Sequence, residues 1–357
     1  MFNPNRFHTQ SLTKALMLGG FCMATLVGCN QSNTASQSAQ GNASTPAPAS
    51  NATATGNKTL AITAIVEHPA LDAVRKGVLD ELNTQGYADG KNLKVNFQSA
   101  QGNTATAGQI AKQFVADKPD AIVAIATPSA QSVVAATTSI PVVFAAVTDP
   151  VEAKLLKSWD ASGTNVTGVS DLLPLDPQVD LMKKVVPTLK NIGYVYSPGE
   201  VNSTVVLKQL EAKVKPMGIN VVAVPAQRST DIPQAARSLQ GKVDLIYTSL
   251  DNNVVSAYES LYQAAKEIKV PLIASDTDSV PRGAVAALGI NYEELGHETG
   301  KIVGRILKGE TAGSIKPATM PKLDLYLSPK HAQEVGITLS PELISQAKQV
   351  EPPAKAK

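Results

Sequence analysis

The side chains able to do chemistry in this chain suit holding a small ion pair better than breaking bonds. Thr127-Pro128-Ser129-Ala130 puts two hydroxyls and free backbone N–H groups at the start of an apolar helical stretch. Unsatisfied amides and the helix dipole both favour an anion there, so the segment is a candidate carboxylate site, although the same residues would also cap a helix. Thr148 stands on the loop after the next strand and joins that candidate site. Asp251 and Asp276 end consecutive strands; either could be the counter-charge of an ammonium, or a capping residue. Asp278, two residues on, competes more weakly. Glu67 and His68 close the first strand ahead of Pro69, and Ser197 opens the polar loop Ser197-Pro198-Gly199-Glu200. Hydroxyls and amides on one side with a carboxylate on the other match the two ends of an amino acid.

Catalytic constellations are missing. The sequence has no Gly-x-Ser-x-Gly, no Walker-type glycine-lysine loop and no His-Glu-x-x-His. Asp276 and Asp278 resemble a glycosidase pair only in spacing, which says nothing of an acid–base environment. His8, His68, His297 and His331 are too dispersed for a metal site. The expectation is a binding protein that is not an enzyme and needs neither a metal nor a cofactor.

Composition narrows the partners. At 357 residues and roughly 150 per domain, about two globular units are expected, with extra segments. A hydrophobic fraction of 43% supports a core. Two of the 32 basic residues, Arg6 and Lys14, lie in the first 28 residues, which contain no acid. The remainder is neutral against its 30 acidic residues, and aromatics make up 4%. A neutral, aromatic-poor body without a long basic run argues against nucleic acid.

Residues 1–28 read as an export signal, with Arg6 and Lys14 in the charged region and Ala15 to Val27 as a short apolar run. Leu26-Val27-Gly28-Cys29 resembles the lipobox of bacterial lipoproteins, which implies cleavage before Cys29 and its acylation. The other cysteine, Cys22, lies inside the removed peptide, so no internal disulfide is available. Residues 30–57 carry no large apolar side chain and no charge before Lys58, and they read as a disordered tether. Multiple acyl chains would then give stable membrane attachment.

From Thr59 onward the hydrophobic period keeps switching. Strands are expected at Leu60–Val66, Leu93–Phe97, Ala121–Ala126 and Val142–Val147, with helices at Pro69–Leu82, Thr106–Ala116 and Ala130–Thr137. A second series after Pro174 repeats the alternation up to Pro271–Ala274. Strands separated by helices imply right-handed crossovers and parallel sheets. Two series of roughly 110 residues suggest two similar α/β, Rossmann-like lobes. In open parallel sheets ligands sit beyond the carboxyl ends of the strands, where all the loops singled out above lie.

Glu67-His68-Pro69-Ala70-Leu71-Asp72, Thr127 to Ser132, Val147-Thr148-Asp149-Pro150 and Gly289-Ile290-Asn291-Tyr292 resemble the tryptophan/tyrosine-type substrate-binding lipoproteins of ABC transporters. The likeness spans roughly residues 59–335. It implies the type I periplasmic-binding-protein fold, two lobes joined by three crossings, with lobe 1 at 58–170 plus 284–313 and lobe 2 at 171–283 plus 314–357. Asn165–Ser170, Ala284–Ile290 and the segment near Ile315–Pro321 would be the crossings. It further implies an amino-acid-like small-molecule ligand, aromatic amino acids included, clamped by Thr127, Ser129 and Thr148. The partners implied are ABC permease and ATPase subunits and a membrane reached through the lipid anchor, with the binding protein a monomer facing the periplasm or exterior. A sensory protein of the same fold and, less well supported, an exported hydrolase are the competing classes.

Overall fold

The computed structural model describes residues 57–350, so the export signal, Cys29 and nearly all of the tether lie outside the described residues. The chain runs through Lys58–Ala64 (β1), Pro69–Thr84 (α1), Leu93–Ser99 (β2), Thr104–Asp117 (α2), Ala121–Ile125 (β3), Thr127–Ala136 (α3), Val142–Ala145 (β4) and Val166–Ser170 (β5). It continues with Leu175–Val185 (α4), Asn191–Tyr196 (β6), Val201–Val214 (α5), Asn220–Pro225 (β7), Ile232–Arg237 (α6), Leu245–Thr248 (β8), Asn252–Ser256 (α7), Tyr258–Glu267 (α8), Leu272–Ala274 (β9) and Ala286–Gly289 (β10). Tyr292–Leu307 (α9), Ala318–Thr319 (β11), Asp324–Leu327 (β12), Pro329–Glu334 (α10), Pro341–Gln346 (α11) and Lys348–Gln349 (β13) complete it.

Two sheets result, in the orders β11-β5-β4-β3-β1-β2 and β13-β12-β10-β9-β8-β6-β7. The first is parallel throughout; in the second, β12 pairs antiparallel with β10 and carries β13 with it. The apolar runs expected to be covered on both faces are so: every residue of β3 and β4 is buried. Each sheet has its own apolar core, which makes two lobes.

Two segments fall on the other side of the lobe boundary from where the sequence places them. Ala284–Ile290 is expected as a crossing grouped with lobe 1, yet β10 within it pairs with β9 and β12 of the second sheet. The chain beyond residue 314 is expected in lobe 2, yet β11 pairs with β5, Ala318 opposite Val169. Asn165–Ser170 is not a crossing but contains β5 of the first sheet. The crossings therefore follow directly on β5, β10 and β11. Such short segments are assigned by the ladder they join, not by any period of their own.

The segment after β10 is tied firmly to the first lobe. Gly77 of α1 and Gly296 of α9 let the two helices touch backbone to backbone: a Cβ on Gly77 would lie 2.2 Å from the Glu293 carbonyl, and one on Gly296 2.3 Å from that of Val74. At this crossing any flexing is thereby left to the few residues around Ile290 and Asn291 rather than spread along α9. Among the described residues no helix is long and apolar enough to cross a membrane.

Candidate functional site

A partly open cavity, whose empty volume of about 310 Å³ includes its mouth, lies between the lobes, beyond the carboxyl ends of both sheets. Its first-lobe wall is His68, Ala70 and Leu71 at the start of α1, with Ala126 and Ala146 at the ends of β3 and β4. Asp171, at the start of the first sheet-to-sheet crossing, and Tyr292, at the end of the second, also line it. Asn202, Leu250, Asn252, Val255 and Asp276 close it from the second lobe.

Ala126 and Ala146 both adopt left-handed backbone, φ 71° and 53°. Non-glycine residues held so are strained, and such strain concentrates where a chain must turn sharply at a site. The turn at Ala126 starts α3 at Thr127, earlier than the expected Ala130, and puts Thr127, Pro128 and Ser129 in its first turn. The Thr127 and Ser129 hydroxyls are buried, and neither oxygen has a hydrogen-bond partner among the described residues. Buried polar atoms are nearly always paired, so the two orphans leave two donors open in the first turn of this ten-residue helix; they follow Ala126 of the wall but do not themselves line the cavity.

Asp171 is the acid that sequence reasoning missed. It is buried, Tyr292 donates its hydroxyl to Oδ2 at 3.2 Å, and Oδ1 has no partner among the described residues. Burial pushes its carboxyl up to about 6, with the Thr148 and Tyr292 hydroxyls opposing. Asp171 follows a strand directly, so the strand-end rule applied to the other loops would have found it had Val166–Ser170 been read as a strand.

The remaining expected residues divide. His68 lines the cavity with Nδ1 unpartnered; burial and the positive charge of Arg282 lower its pKa to about 3, so the ring is neutral. Thr148 is buried and borders a second, smaller and mostly apolar pocket that shares Leu250 with the first. Asp276 lines the cavity, but its oxygens already accept from Ser279, N at 2.8 Å and Oγ at 2.7 Å. Asp278 stands next to this group, its carboxyl raised to about 6 by burial and by Asp276. Asp251 is not in the wall: it caps α7 and accepts from Val254 N (3.0 Å), Ser197 N (2.6 Å) and Ser197 Oγ (2.9 Å). Ser197 instead borders the wide opening between Pro128 and Gly199, with Asn252 shared by opening and cavity. Glu67 is exposed and bonded by Gln101 Nε2 at 2.8 Å, away from the cavity. Among the described residues no cluster of three or more histidine, cysteine or acidic side chains could hold a metal ion.

One further acid, Glu200, lies in the Ser197–Glu200 loop but was not singled out from the sequence. Glu200 is buried and accepts on Oε2 from Asn202 Nδ2 and from Asn252 N and Nδ2. Burial, followed by the neighbouring charge of Asp251, raises its carboxyl to about 7.

Comparison with known proteins agrees with this architecture. Residues 59–351 match the family described as ABC transporter substrate binding protein. The "Tyrosine-binding protein" of Clostridioides difficile is 38% identical over 320 residues, covering 90% of each chain. A Streptococcus pneumoniae ABC domain solved in complex with L-Trp is 34% identical, with a TM-score of 0.80 over 83% of this chain and 100% of that one. A Clostridium difficile substrate-binding protein with adhesive properties, solved ligand-free and open, is 38% identical, yet its TM-score is 0.63 over 83% of this chain and 99% of that one. Two lobes with largely parallel sheets, an interlobe cavity and a family match over nearly the whole body make this chain a member of the ABC-transporter substrate-binding proteins, on the type I periplasmic-binding-protein fold.

Proposed function

We propose that this chain is the extracytoplasmic, lipid-anchored binding component of an ABC importer, non-catalytic and monomeric, and that its cavity captures an amino acid. The observation that carries the proposal is a set of orphaned polar atoms: Asp171 Oδ1 in the cavity wall, and the Thr127 and Ser129 hydroxyls in the turn that follows Ala126 of that wall. Thr127 and Ser129 offer hydroxyls and helix-start amides to a carboxylate, and Asp171 Oδ1 offers a buried acceptor to an ammonium. Asp276 lines the same cavity from the second lobe, but its oxygens are already taken by Ser279. Leu71, Leu250 and Val255 offer apolar surface to a hydrocarbon side chain. A relative described as tyrosine-binding and another holding L-Trp support this ligand class.

Capture would proceed by closure about the crossings, with ligand contacts to both lobes stabilising the closed form. The higher likeness in shape to the L-Trp complex than to the open relative of greater sequence identity supports a closed arrangement here. Calorimetry with an amino acid, its decarboxylated amine and its deaminated acid tests the head group. Both truncated compounds should bind at least tenfold more weakly, and Ser129→Ala should weaken the intact amino acid about tenfold, the backbone amides keeping the rest. Equal affinity for all three compounds would reject the assignment.

The anchor rests on the sequence alone, on Leu26-Val27-Gly28-Cys29 after a charged start and apolar run. Cys29→Ala should leave a protein that is unprocessed or partitions into the aqueous phase on detergent extraction. Normal-sized, detergent-phase protein from that variant would count against acylation.

A further inference from the structure

Asn202, in the first turn of α5, is buried and borders the cavity from the second lobe. Its amide has one self-consistent orientation. Nδ2 donates to Glu200 Oε2 at 2.9 Å and to the Leu250 carbonyl at 2.8 Å, both of them acceptors. Oδ1 therefore points the other way, and it is buried without a partner among the described residues. The clamp is itself clamped: Glu200 Oε2 also accepts from Asn252 N at 3.0 Å and Nδ2 at 2.6 Å. An oxygen held this firmly cannot rotate to find a donor within the protein.

We infer that Asn202 Oδ1 is a specificity element that accepts a hydrogen bond from an N–H or O–H on the ligand's side chain, and that Glu200 is the residue positioning it. This rests on the reading of the cavity as an amino-acid site. The head-group partners Thr127, Ser129 and Asp171 belong to the first lobe and a crossing, so the part of the ligand left to meet the second lobe is its side chain. The second-lobe wall also presents apolar surface, Leu250 and Val255, alongside the polar Asn252 and Asp276. A mostly hydrocarbon group with one donor, such as a phenol or an indole, satisfies both. A phenyl ring would leave Oδ1 buried and unpaired, and sites built to hydrogen-bond a group discriminate strongly against analogues lacking it.

The test uses two pairs, tyrosine with phenylalanine and tryptophan with 1-methyltryptophan, in calorimetry on the full mature chain. In at least one pair the donor-bearing member should bind roughly ten- to a hundredfold tighter. Asn202→Leu should collapse that ratio to within about threefold by weakening the donor-bearing member, leaving its analogue nearly unchanged. Glu200→Ala should shrink the ratio by freeing the Asn202 amide, and Glu200→Gln, which keeps an acceptor carbonyl, should restore most of it. Equal affinities within both pairs, or a ratio that survives Asn202→Leu, would overturn the inference. So would a protein that binds some other amino acid but none of these four. If no amino acid binds at all, the amino-acid reading of the cavity falls first and this inference falls with it.

Discussion

Asp171→Asn is expected to weaken amino-acid binding at neutral pH by roughly a hundredfold, while leaving the deaminated acid bound as well as before or better. Removing one member of a buried charge pair typically costs about 2–5 kcal/mol, mostly from stranding the other charge. Asp171 Oδ1 is the buried carboxylate oxygen beside the cavity that no described donor occupies. The deaminated acid has no ammonium to strand, and its own carboxylate is repelled by Asp171, so the substitution relieves rather than harms it. A general structural defect would weaken both ligands alike, and that outcome would remove Asp171 from the site.

The same carboxyl sets a pH dependence with a definite sign. Burial raises it to about 6 in the ligand-free protein, above the ordinary aspartate value. A bound ammonium would keep it ionised, so below about pH 6 binding must expel a proton and affinity falls by about tenfold per unit. Because the folded value is the higher one, the group favours folding at low pH, and that contribution is lost as pH rises through 6. Asp171→Asn should consequently make the ligand-free protein more stable at pH 7, not less. Glu200 and Asp278, raised to about 7 and about 6, titrate in the same range. The informative curve is therefore the difference between native protein and variant.

Much of the fold is legible because its strands announce themselves. Ala121–Ile125 is apolar at every position, and Pro69 opens α1 where the helical period begins. β5 hides for a physical reason: its sequence Val-Thr-Gly-Val-Ser lacks the continuous apolar run of β3, yet each polar or small residue answers a tertiary contact. Thr167 donates to the Ile315 carbonyl at 2.9 Å, and a Cβ on Gly168 would lie 2.1 Å from the Phe144 carbonyl. With Asn165–Ser170 read as a crossing and not a strand, Asp171 directly after it is not recognised as standing at a strand end. The carboxylates that were noticed could not be ranked from sequence, because donors arriving from Ser197, 54 residues away from Asp251, leave no local trace. The hydroxyls of Thr127 and Ser129 were legible since helix-start chemistry is local.

Asp251→Asn is expected to destabilise the second lobe by about 2–4 kcal/mol, because it leaves a buried backbone donor facing another donor. Oδ2 accepts from Ser197 N at 2.6 Å, and Oδ1 accepts from Val254 N at 3.0 Å and from Ser197 Oγ. An asparagine amide has one oxygen, so whichever way it turns, either Ser197 N–H or Val254 N–H meets an NH2 group. The bonds joining Ser197 to Asp251 tie the end of β6 to the start of α7, and Glu200 nearby would lose a like charge that now raises its carboxyl. Urea unfolding should therefore show the loss plainly. The affinity ratio between an amino acid and its deaminated analogue should stay within about twofold of the native ratio, since Asp251 lies outside the cavity wall. The opposite pattern, native stability with a collapsed ratio, would make Asp251 the ammonium partner and return Asp171 to a structural role in the hinge.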